Sequence, residues 1–133
     1  MNFSKTTSYS IKILLFMSEN GEEMFSAKSL YQNLKIPYQY LRTLLTKLSK
    51  SGFIVPTQGR SGGFSIVKKP DEIFLAEIID SIEGLESLDS CLIGIHPCPF
   101  DNKCQLHEFW AQQRLQIIEK LKTTSLLDLQ TKI

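Results

Sequence analysis

The sequence predicts a mainly α-helical fold with a small β wing, in which a winged helix-turn-helix DNA-binding domain precedes a long C-terminal dimerisation helix. Three features predict it: two short amphipathic helices joined by a tight break, a glycine-rich hairpin after them, and a long final helix with an apolar stripe. A chain of 133 residues accommodates one domain with one attached oligomerisation element. We accordingly divide it into the winged domain at 1–84, a cysteine-bearing loop at 85–104, and a dimerisation helix with its tail at 103–133.

The helix-turn-helix is predicted from apolar residues that recur at positions i, i+3, i+4 and i+7. A first helix runs from about residue 4 to residue 18, and Gly21 ends it. Ser26 is a suitable N-cap for the second helix, the residue before Pro37 breaks that helix, and Pro37 opens the third. The apolar positions of the second and third helices are Ala27, Leu30, Tyr31, Leu34, Leu41, Leu44, Leu45 and Leu48.

The face of the third helix opposite its leucines has the composition of a DNA recognition surface. It carries only polar or basic side chains, namely Gln39, Arg42, Thr43, Thr46, Lys47 and Lys50. Arg and Gln side chains read base edges, whereas Lys and Thr side chains hold phosphates. An ordinary solvent face would mix both charge signs and form ion pairs along the helix. We therefore predict that the third helix is the recognition helix.

The distribution of charge along the chain favours the same function. Residues 24–70 contain eight basic residues and no Asp or Glu, which gives this segment a net charge of +8. Because the whole chain carries +1, the remainder carries −7. A basic segment within a balanced total is typical of a nucleic-acid-binding module joined to a neutral or acidic part. A solvated surface with chance clustering of lysines is the alternative.

A glycine-rich hairpin follows the recognition helix and is predicted to form the wing. Residues 53–55 and 64–67 have the composition of strands, and the segment QGRSGG lies between them at 58–63. Glycines allow the backbone to approach a duplex closely, and a lone arginine suits the narrow minor groove. The segment matches neither a Walker loop nor a dinucleotide-binding fingerprint. The predicted DNA-binding residues of the whole chain are Ser26, Lys28, Tyr38, Gln39, Tyr40, Arg42, Thr43, Thr46, Lys47, Lys50, Arg60, Ser61, Gly62 and Gly63.

The C-terminal part is predicted to dimerise through its long helix. A short helix over 75–82, ended by Gly84, and a loop over 85–101 precede it. Asp101 or Asn102 caps the final helix, which runs from about residue 103 to residue 122. One small winged domain is unable to cover its whole apolar stripe, whereas a second copy of the helix would cover it, and domains of this kind commonly act as two-fold dimers. The residues of the predicted homodimer interface are Leu106, Phe109, Trp110, Ile117, Ile118 and Leu121.

All three cysteines and both histidines lie within residues 91–110. Cys91, Cys98, Cys104 and His107 together offer four soft ligands, while His96 lies in the loop between them. Cys104 and His107 are three residues apart at the start of the final helix, so we predict that their side chains share one face. An iron–sulfur cluster needs a mainly thiolate cage and allows histidine on one iron. A structural zinc site could use the same residues, although the tight cysteine pair of most zinc sites is absent from this sequence. Three buried or redox-inert cysteines are the third alternative, and the spacing leaves all three open.

Other functional classes find less support in the sequence. A Cys/His enzyme would use one cysteine as nucleophile with His107 or His96 as base, but no oxyanion site or orienting partner is recognisable. We therefore expect a protein that is not an enzyme and has no small-molecule substrate. No apolar run approaches the roughly 20 residues that cross a bilayer, and the N-terminal segment lacks a small-residue cleavage site. We expect a cytoplasmic protein without a membrane partner.

The ordered combination of motifs resembles the Rrf2 family of bacterial winged-helix regulators. The residues that carry the resemblance are the basic helix-turn-helix, the GRSGGF wing at 59–64, the short helix ending in IEG at 82–84, the three-cysteine loop and the long closing helix. The resemblance covers essentially the whole chain. It implies that the third helix and the wing bind operator DNA, that the long helix dimerises, and that the loop carries an iron–sulfur cluster. It further implies that the cluster controls DNA binding in response to cluster or iron status, redox stress or nitric oxide.

The resemblance also implies a ligand set. In the family's regulators of iron–sulfur assembly, the ligands are three cysteines and a histidine, which correspond to Cys91, Cys98, Cys104 and His107 here.

Three departures from the family pattern limit this comparison. The family's nitric-oxide sensors take an aspartate from the partner's first helix, at the position of Ser8, and serine is a poor cluster ligand. The gap between Cys91 and Cys98 is one residue longer than in the assembly regulators, so the cluster geometry does not carry over. Arg42 replaces an acidic residue, so the operator preference does not carry over either.

We expect a 2Fe–2S cluster, with 4Fe–4S as the alternative. A regulator of the same fold that uses thiol oxidation or zinc is the closest competing hypothesis.

Overall fold

A computed structural model describes residues 3–20, 24–95, 98–101 and 103–130. Over these ranges the mainly helical winged fold is confirmed, and no helix within them is both long and apolar enough to cross a membrane. Short 3-10 turns at Pro70–Glu72 and Leu85–Asp89 lie on either side of the fourth helix. The elements in chain order are α1 (Lys5–Glu19), α2 (Ala27–Leu34), α3 (Tyr38–Lys50), β1 (Ile54–Thr57), β2 (Gly63–Ile66), α4 (Leu75–Ile82), α5 (Gln105–Thr123) and α6 (Leu126–Gln130).

The break between α2 and α3 is set by capping residues. The Ser26 hydroxyl accepts a hydrogen bond from the backbone N–H of Ser29 at 3.0 Å, as predicted for an N-cap. Lys35 ends α2 in the left-handed conformation with φ of 57°. Pro37 is the N-cap of α3 and lies just before its first turn. Gly21, predicted to end α1, lies outside the described residues.

The core lies around α1, which packs against α2, α3, α4, α6 and β2. The four predicted leucines of α3 are all buried, and Leu41 and Leu48 are completely inaccessible to solvent. Burying one such side chain stabilises the fold by about 1.5–3 kcal/mol. Tyr31 was predicted to share the apolar face of α2, but it is 43% exposed and its ring meets that of Tyr38 edge-on. Its size and hydroxyl keep it at the surface, while the smaller Leu30 and Leu34 fill the core.

The wing is a two-stranded antiparallel hairpin in which Ile54 pairs with Ile66 and Thr57 pairs with Gly63. Phe25 forms an additional antiparallel bridge with Phe64, so the segment before α2 extends the hairpin on one side. A Cβ atom at Gly63 would lie 2.6 Å from the carbonyl oxygen of Phe25. Glycine is therefore required at this position by packing within the wing, a reason that the sequence interpretation did not include.

The segment between α4 and α5 differs in two ways from the sequence prediction. Gly84 follows α4 with φ of 84°, as predicted, but the predicted loop opens with the 3-10 turn Leu85–Asp89. Such a turn is too short to produce a periodic pattern. Cys104 is the N-cap of α5, where Asp101 or Asn102 was predicted, and Asn102 lies outside the described residues.

The chain returns to the winged domain after α5, which the sequence prediction did not anticipate. The backbone N–H of Leu75 donates to the carbonyl of Thr124 at 2.9 Å, and that of Leu126 donates to the carbonyl of Ile73 at 2.9 Å. Leu126 has no solvent exposure and belongs to the same core as the residues of α1 and α3. The tail is thus an integral part of the domain that contains the recognition helix.

We expect the Leu126→Ala substitution to lower the free energy of unfolding by about 2–5 kcal/mol, because it leaves a cavity in the core. Leu127 is 45% exposed, so Leu127→Ala is a matched control and should change stability by less than about 0.5 kcal/mol. Urea unfolding followed by circular dichroism measures both. Equal effects of the two substitutions would contradict the packing of the tail described above.

Candidate DNA interface and cysteine site

Predicted DNA-binding residues from three separate segments line one concavity. A depression of about 260 Å³ lies between the N-terminus of α2, the outer face of α3 and the beginning of β2. Unpaired N–H groups at a helix N-terminus and a guanidinium group both attract anions, so the concavity suits the phosphate backbone of DNA. Its lining residues from the predicted set are Ser26, Tyr38, Arg42, Thr46, Gly62 and Gly63.

The outer face of α3 is exposed along its whole length, as the recognition-helix prediction requires. The guanidinium carbon of Arg42 lies 5.9 Å from the ring centroid of Tyr38, and the Tyr38 ring lies 5.6 Å from that of Tyr31. A cation–π contact of this kind restricts the orientation of an otherwise flexible arginine. The predicted residues on exposed positions, inside and outside the concavity, are Ser26, Lys28, Tyr38, Gln39, Arg42, Thr43, Thr46, Lys47, Lys50, Arg60 and Ser61.

Tyr40 and Lys47 differ from the rest of the predicted set. The Tyr40 hydroxyl forms a hydrogen bond with the Thr6 hydroxyl, and its ring meets that of Tyr9 edge-on at 5.5 Å between centroids. The structure therefore directs Tyr40 toward α1 and does not bring it to the concavity, because this side of α3 packs on the first helix. The Lys47 ammonium donates to the carbonyl of Ile82 at 3.5 Å, so at this position it also contacts the end of α4.

The three cysteines and His107 line one cavity of about 180 Å³ between the loop and the beginning of α5. All three cysteines are half-buried and are not joined in disulfides. His96 and Pro97 lie outside the described residues. The remaining lining residues are Asp89, Ser90, Leu92, Ile95, Leu106, Trp110 and Arg114. The four predicted ligands thus share one cavity although they are spread over 17 positions of the sequence.

The relation between Cys104 and His107 is corrected by the position of the helix start. Both were predicted to lie on one face of the final helix, but Cys104 precedes the first turn of α5 as its N-cap. The backbone N–H of His107 donates to the Cys104 carbonyl at 3.2 Å, which brings the two residues together through the main chain. Both side chains still line the cavity.

Cys91 has a local environment that favours its ionised form. The backbone N–H groups of Ile95, Ile93 and Gly94 donate toward its sulfur and lower the pKa of the Cys91 thiol below its ordinary value. Gly94 has φ of 75°, and its N–H also donates to the Cys91 carbonyl at 3.0 Å, so a tight turn produces this arrangement. Thiolate is the form of cysteine that binds metal and that reacts with oxidants.

The donor set fits an iron–sulfur cluster, since three thiols and one imidazole are available in one cavity. Within the described residues, however, no three Cys, His, Asp or Glu side chains stand close enough together to hold a metal ion. Binding would therefore require these side chains to come closer to one another than they stand here.

The apolar stripe of α5 is only partly available to a second copy of the chain. Trp110 is 8% exposed, so it is buried within its own protomer and must be removed from the set of uncovered residues. Ile117, Ile118 and Leu121 are half-buried. Leu106 is 40% and Phe109 is 55% exposed. The most exposed large apolar side chain on α5 is Leu115 at 66%, which the sequence prediction missed because it lies off the stripe.

The structure combines a winged helix, whose recognition face is basic, with a cysteine-lined cavity and a long helix. Together these features are those of a DNA-binding transcription regulator. The comparisons with known proteins agree: the chain belongs to the Rrf2 family, described as iron-dependent transcriptional regulators, which it matches over residues 3–132.

Individual relatives cover nearly the whole chain. An HTH-type transcriptional regulator of Aquifex aeolicus is 31% identical over 131 residues, which span 97% of this chain and 91% of the relative. The regulator NsrR of Shouchella clausii is 28% identical over 133 residues, which span 96% of this chain and 89% of NsrR. Among solved structures, CymR, the global cysteine regulator of B. subtilis, is similar with a TM-score of 0.78 and 26% identity over 99% of both chains. These relatives are transcription regulators, so the prediction that the protein is not an enzyme is confirmed.

Proposed function

We propose that the protein is a cytoplasmic homodimeric regulator whose operator binding is controlled by an iron–sulfur cluster held by Cys91, Cys98, Cys104 and His107. The observation that carries the proposal is the position of these four side chains around one cavity at the beginning of α5. When bound, the cluster supplies a redox-active and labile centre, and one histidine ligand makes it easier to reduce than an all-thiolate site. We favour the 2Fe–2S form because three thiolates and one imidazole are the ligands available.

We propose that a change in ligation at the cysteine loop is transmitted through α5 to the recognition helices. Gain or loss of ligation moves the loop, and the loop is continuous with the first turn of α5. The other end of α5 is fixed by the hydrogen bonds of Thr124 to Leu75, the first residue of α4, and of Leu126 to Ile73 just before it. In a dimer built on α5, a tilt of the helix changes the distance between the two recognition helices and hence their fit to a two-fold operator.

The proposed DNA contacts fall into two groups. Gln39, Arg42 and Thr43 read bases in the major groove, while Lys47, Lys50 and Arg60 mainly hold the backbone. All six residues lie in the winged domain proposed at 1–84, which the cysteine loop at 85–104 follows. Of the segment proposed at 103–133, α5 is the dimerisation helix, whereas the tail after it packs on the winged domain.

Anaerobic purification tests the cluster. We expect brown protein with charge-transfer absorption in the visible range and roughly two iron and two sulfide per protomer for the 2Fe–2S form. Zinc at one equivalent, without iron or sulfide, would overturn the proposal and leave a zinc-dependent regulator of the same family.

The dimer prediction uses the side chains of α5 that the protomer leaves exposed. Phe109→Glu combined with Leu115→Glu is expected to raise the dimer dissociation constant at least about 100-fold, because burying unpaired carboxylates costs several kcal/mol. Sedimentation velocity measures the change. The sequence alone suggested Ile117 and Leu121, but those are half-buried within the protomer, so charges there would also perturb its own packing.

Val55 and Val67, on the wing, provide the matched control for this experiment, since they are 49% and 53% exposed. Val55→Glu combined with Val67→Glu should leave the dimer intact. A dimer that survives the α5 substitutions would move the interface to another surface.

We infer a thiol-based sensor as the second candidate, because three cysteines that are not in disulfides line one cavity. Two of these thiols would form a disulfide, giving two electrons and two protons to an oxidant such as diamide, which is reduced to its hydrazine. If the anaerobic protein holds neither metal nor sulfide, non-reducing peptide mapping after diamide treatment should detect that disulfide together with a change in operator affinity. Diamide-treated protein with three free thiols would exclude this candidate.

A further inference from the structure

Two side chains of α5 hold the two residues immediately before Cys91. The indole N–H of Trp110 donates to the carbonyl oxygen of Ser90 at 2.8 Å. The guanidinium Nε of Arg114 lies 3.5 Å from the Asp89 carboxylate. Trp110 and Arg114 are one helical turn apart, so they form adjacent contacts on one side of α5. We call this pair of contacts the α5 clamp.

The two contacts differ in strength and complement each other. Asp89 is 64% exposed, so solvent screens its ion pair with Arg114, which alone would hold the segment weakly. Trp110 is buried, and a hydrogen bond from a buried indole to a backbone carbonyl is directional and poorly replaced by water. The combination fixes both the position and the orientation of the chain at residues 89–90.

The clamp lies between the cysteine site and two structural elements. Asp89 ends the 3-10 turn that follows α4, and Ser90 is bonded directly to Cys91. Trp110 and Arg114 also line the cavity that contains the cysteines and His107. A displacement of the Cys91 backbone must therefore change the contacts of α5, and a tilt of α5 must displace Cys91.

We propose that Trp110 and Arg114 are positioning residues that fix Cys91 against α5 and transmit the ligation state of the cysteine site to the dimerisation helix. The transmission rests on the proposed function, whereas the positioning of Cys91 does not.

The positioning is tested on metal-free protein by hydrogen–deuterium exchange. Trp110→Phe removes the indole donor but keeps a large ring, and Arg114→Gln removes the charge. In the double variant, exchange over residues 89–95 should increase at least about tenfold, while exchange in α3 and the wing stays as in the wild type. When Arg114→Lys replaces Arg114→Gln in the double variant, part of the protection of residues 89–95 from exchange should return. Lys103→Gln is the control, because it breaks the exposed Lys103–Asp101 ion pair nearby without touching the clamp. Unchanged exchange in the double variant would overturn the positioning.

The transmission is tested by the ratio of operator affinities between iron-loaded and metal-free protein. We expect this ratio to fall at least about tenfold in the double variant, with metal-free binding unchanged and the ratio retained in Lys103→Gln. If hydrogen exchange increases in the double variant but the ratio of operator affinities stays as in the wild type, the clamp is only structural and the proposed transmission is wrong. A wild type that binds no iron and shows no such ratio would refute the proposed function and the transmission with it, while the exchange result would still decide the positioning.

Discussion

Replacing any one of Cys91, Cys98 or Cys104 with alanine is expected to abolish the visible absorbance of the anaerobic protein and to reduce bound iron and sulfide to background. Each substitution removes one thiolate ligand from a cluster with four protein ligands. No other described residue of the cavity supplies a thiolate in its place. Leu92 lines the same cavity without offering a ligand atom, so Leu92→Ala is the matched control and should keep full iron and sulfide. The measurement is iron and sulfide content together with the absorption spectrum.

His107→Ala separates the fourth ligand from the three thiolates. We expect it to retain colour in a weakened or converted cluster, with a changed reduction potential and a shorter lifetime in air, because the imidazole ligand raises the potential relative to thiolate. If spectrum, potential and lifetime all stay as in the wild type, the fourth ligand comes from elsewhere. Full cluster content in any single cysteine variant would refute the ligand set itself.

Arg42→Ala is expected to weaken binding to a specific operator by about 1–3 kcal/mol and to relax the preference at the base pair that Arg42 contacts. The operator is first obtained by selecting tight-binding duplexes from a random library with the wild-type protein. Fluorescence anisotropy with the selected duplex and its single-base variants then measures both effects. The contact with Tyr38 strengthens the expectation, since it limits the orientations that Arg42 adopts before binding.

Lys47→Ala is the comparison for Arg42→Ala on the same helix. It should weaken binding to all DNA sequences alike, as expected for a phosphate contact. It should also reduce the slope of log affinity against log salt concentration by about one. If Arg42→Ala binds the selected operator as tightly as the wild type, base reading must be assigned to another part of the exposed face.

The winged domain was predictable because its signals are local. The four leucines of α3 recur with the helical period, Ser26 caps α2, and glycine lies just beyond α4 at residue 84, and all of these predictions are confirmed. The wing strands differ from the prediction by only one or two residues at their ends. Periodicity and capping depend on neighbouring residues, so they can be read without knowledge of the tertiary structure.

The C-terminal part was harder to predict because its contacts join distant residues. Trp110 has the spacing of an interface residue, yet it is buried within the protomer. There its indole donates a hydrogen bond to the carbonyl of Ser90, which lies 20 positions earlier in the sequence. The contact of Arg114 with Asp89 has no sequence signal beyond the spacing of one turn from Trp110. By contrast, α6 had a readable signal in Ser125 and Asp128, which bond each other's backbone N–H groups as a capping box does.

The hydrogen bonds of Thr124 and Leu126 to the beginning of α4 and the residues just before it affect the order in which the chain folds during synthesis. Leu126 completes a core whose other members are translated much earlier, so the winged domain remains unfinished until Leu126 has left the ribosome. By that time the cysteine loop and the whole of α5 have already been made. A nascent chain therefore acquires a complete winged domain only after the proposed sensing and dimerisation segments have been synthesised. This timing disfavours operator occupation by partly synthesised protein.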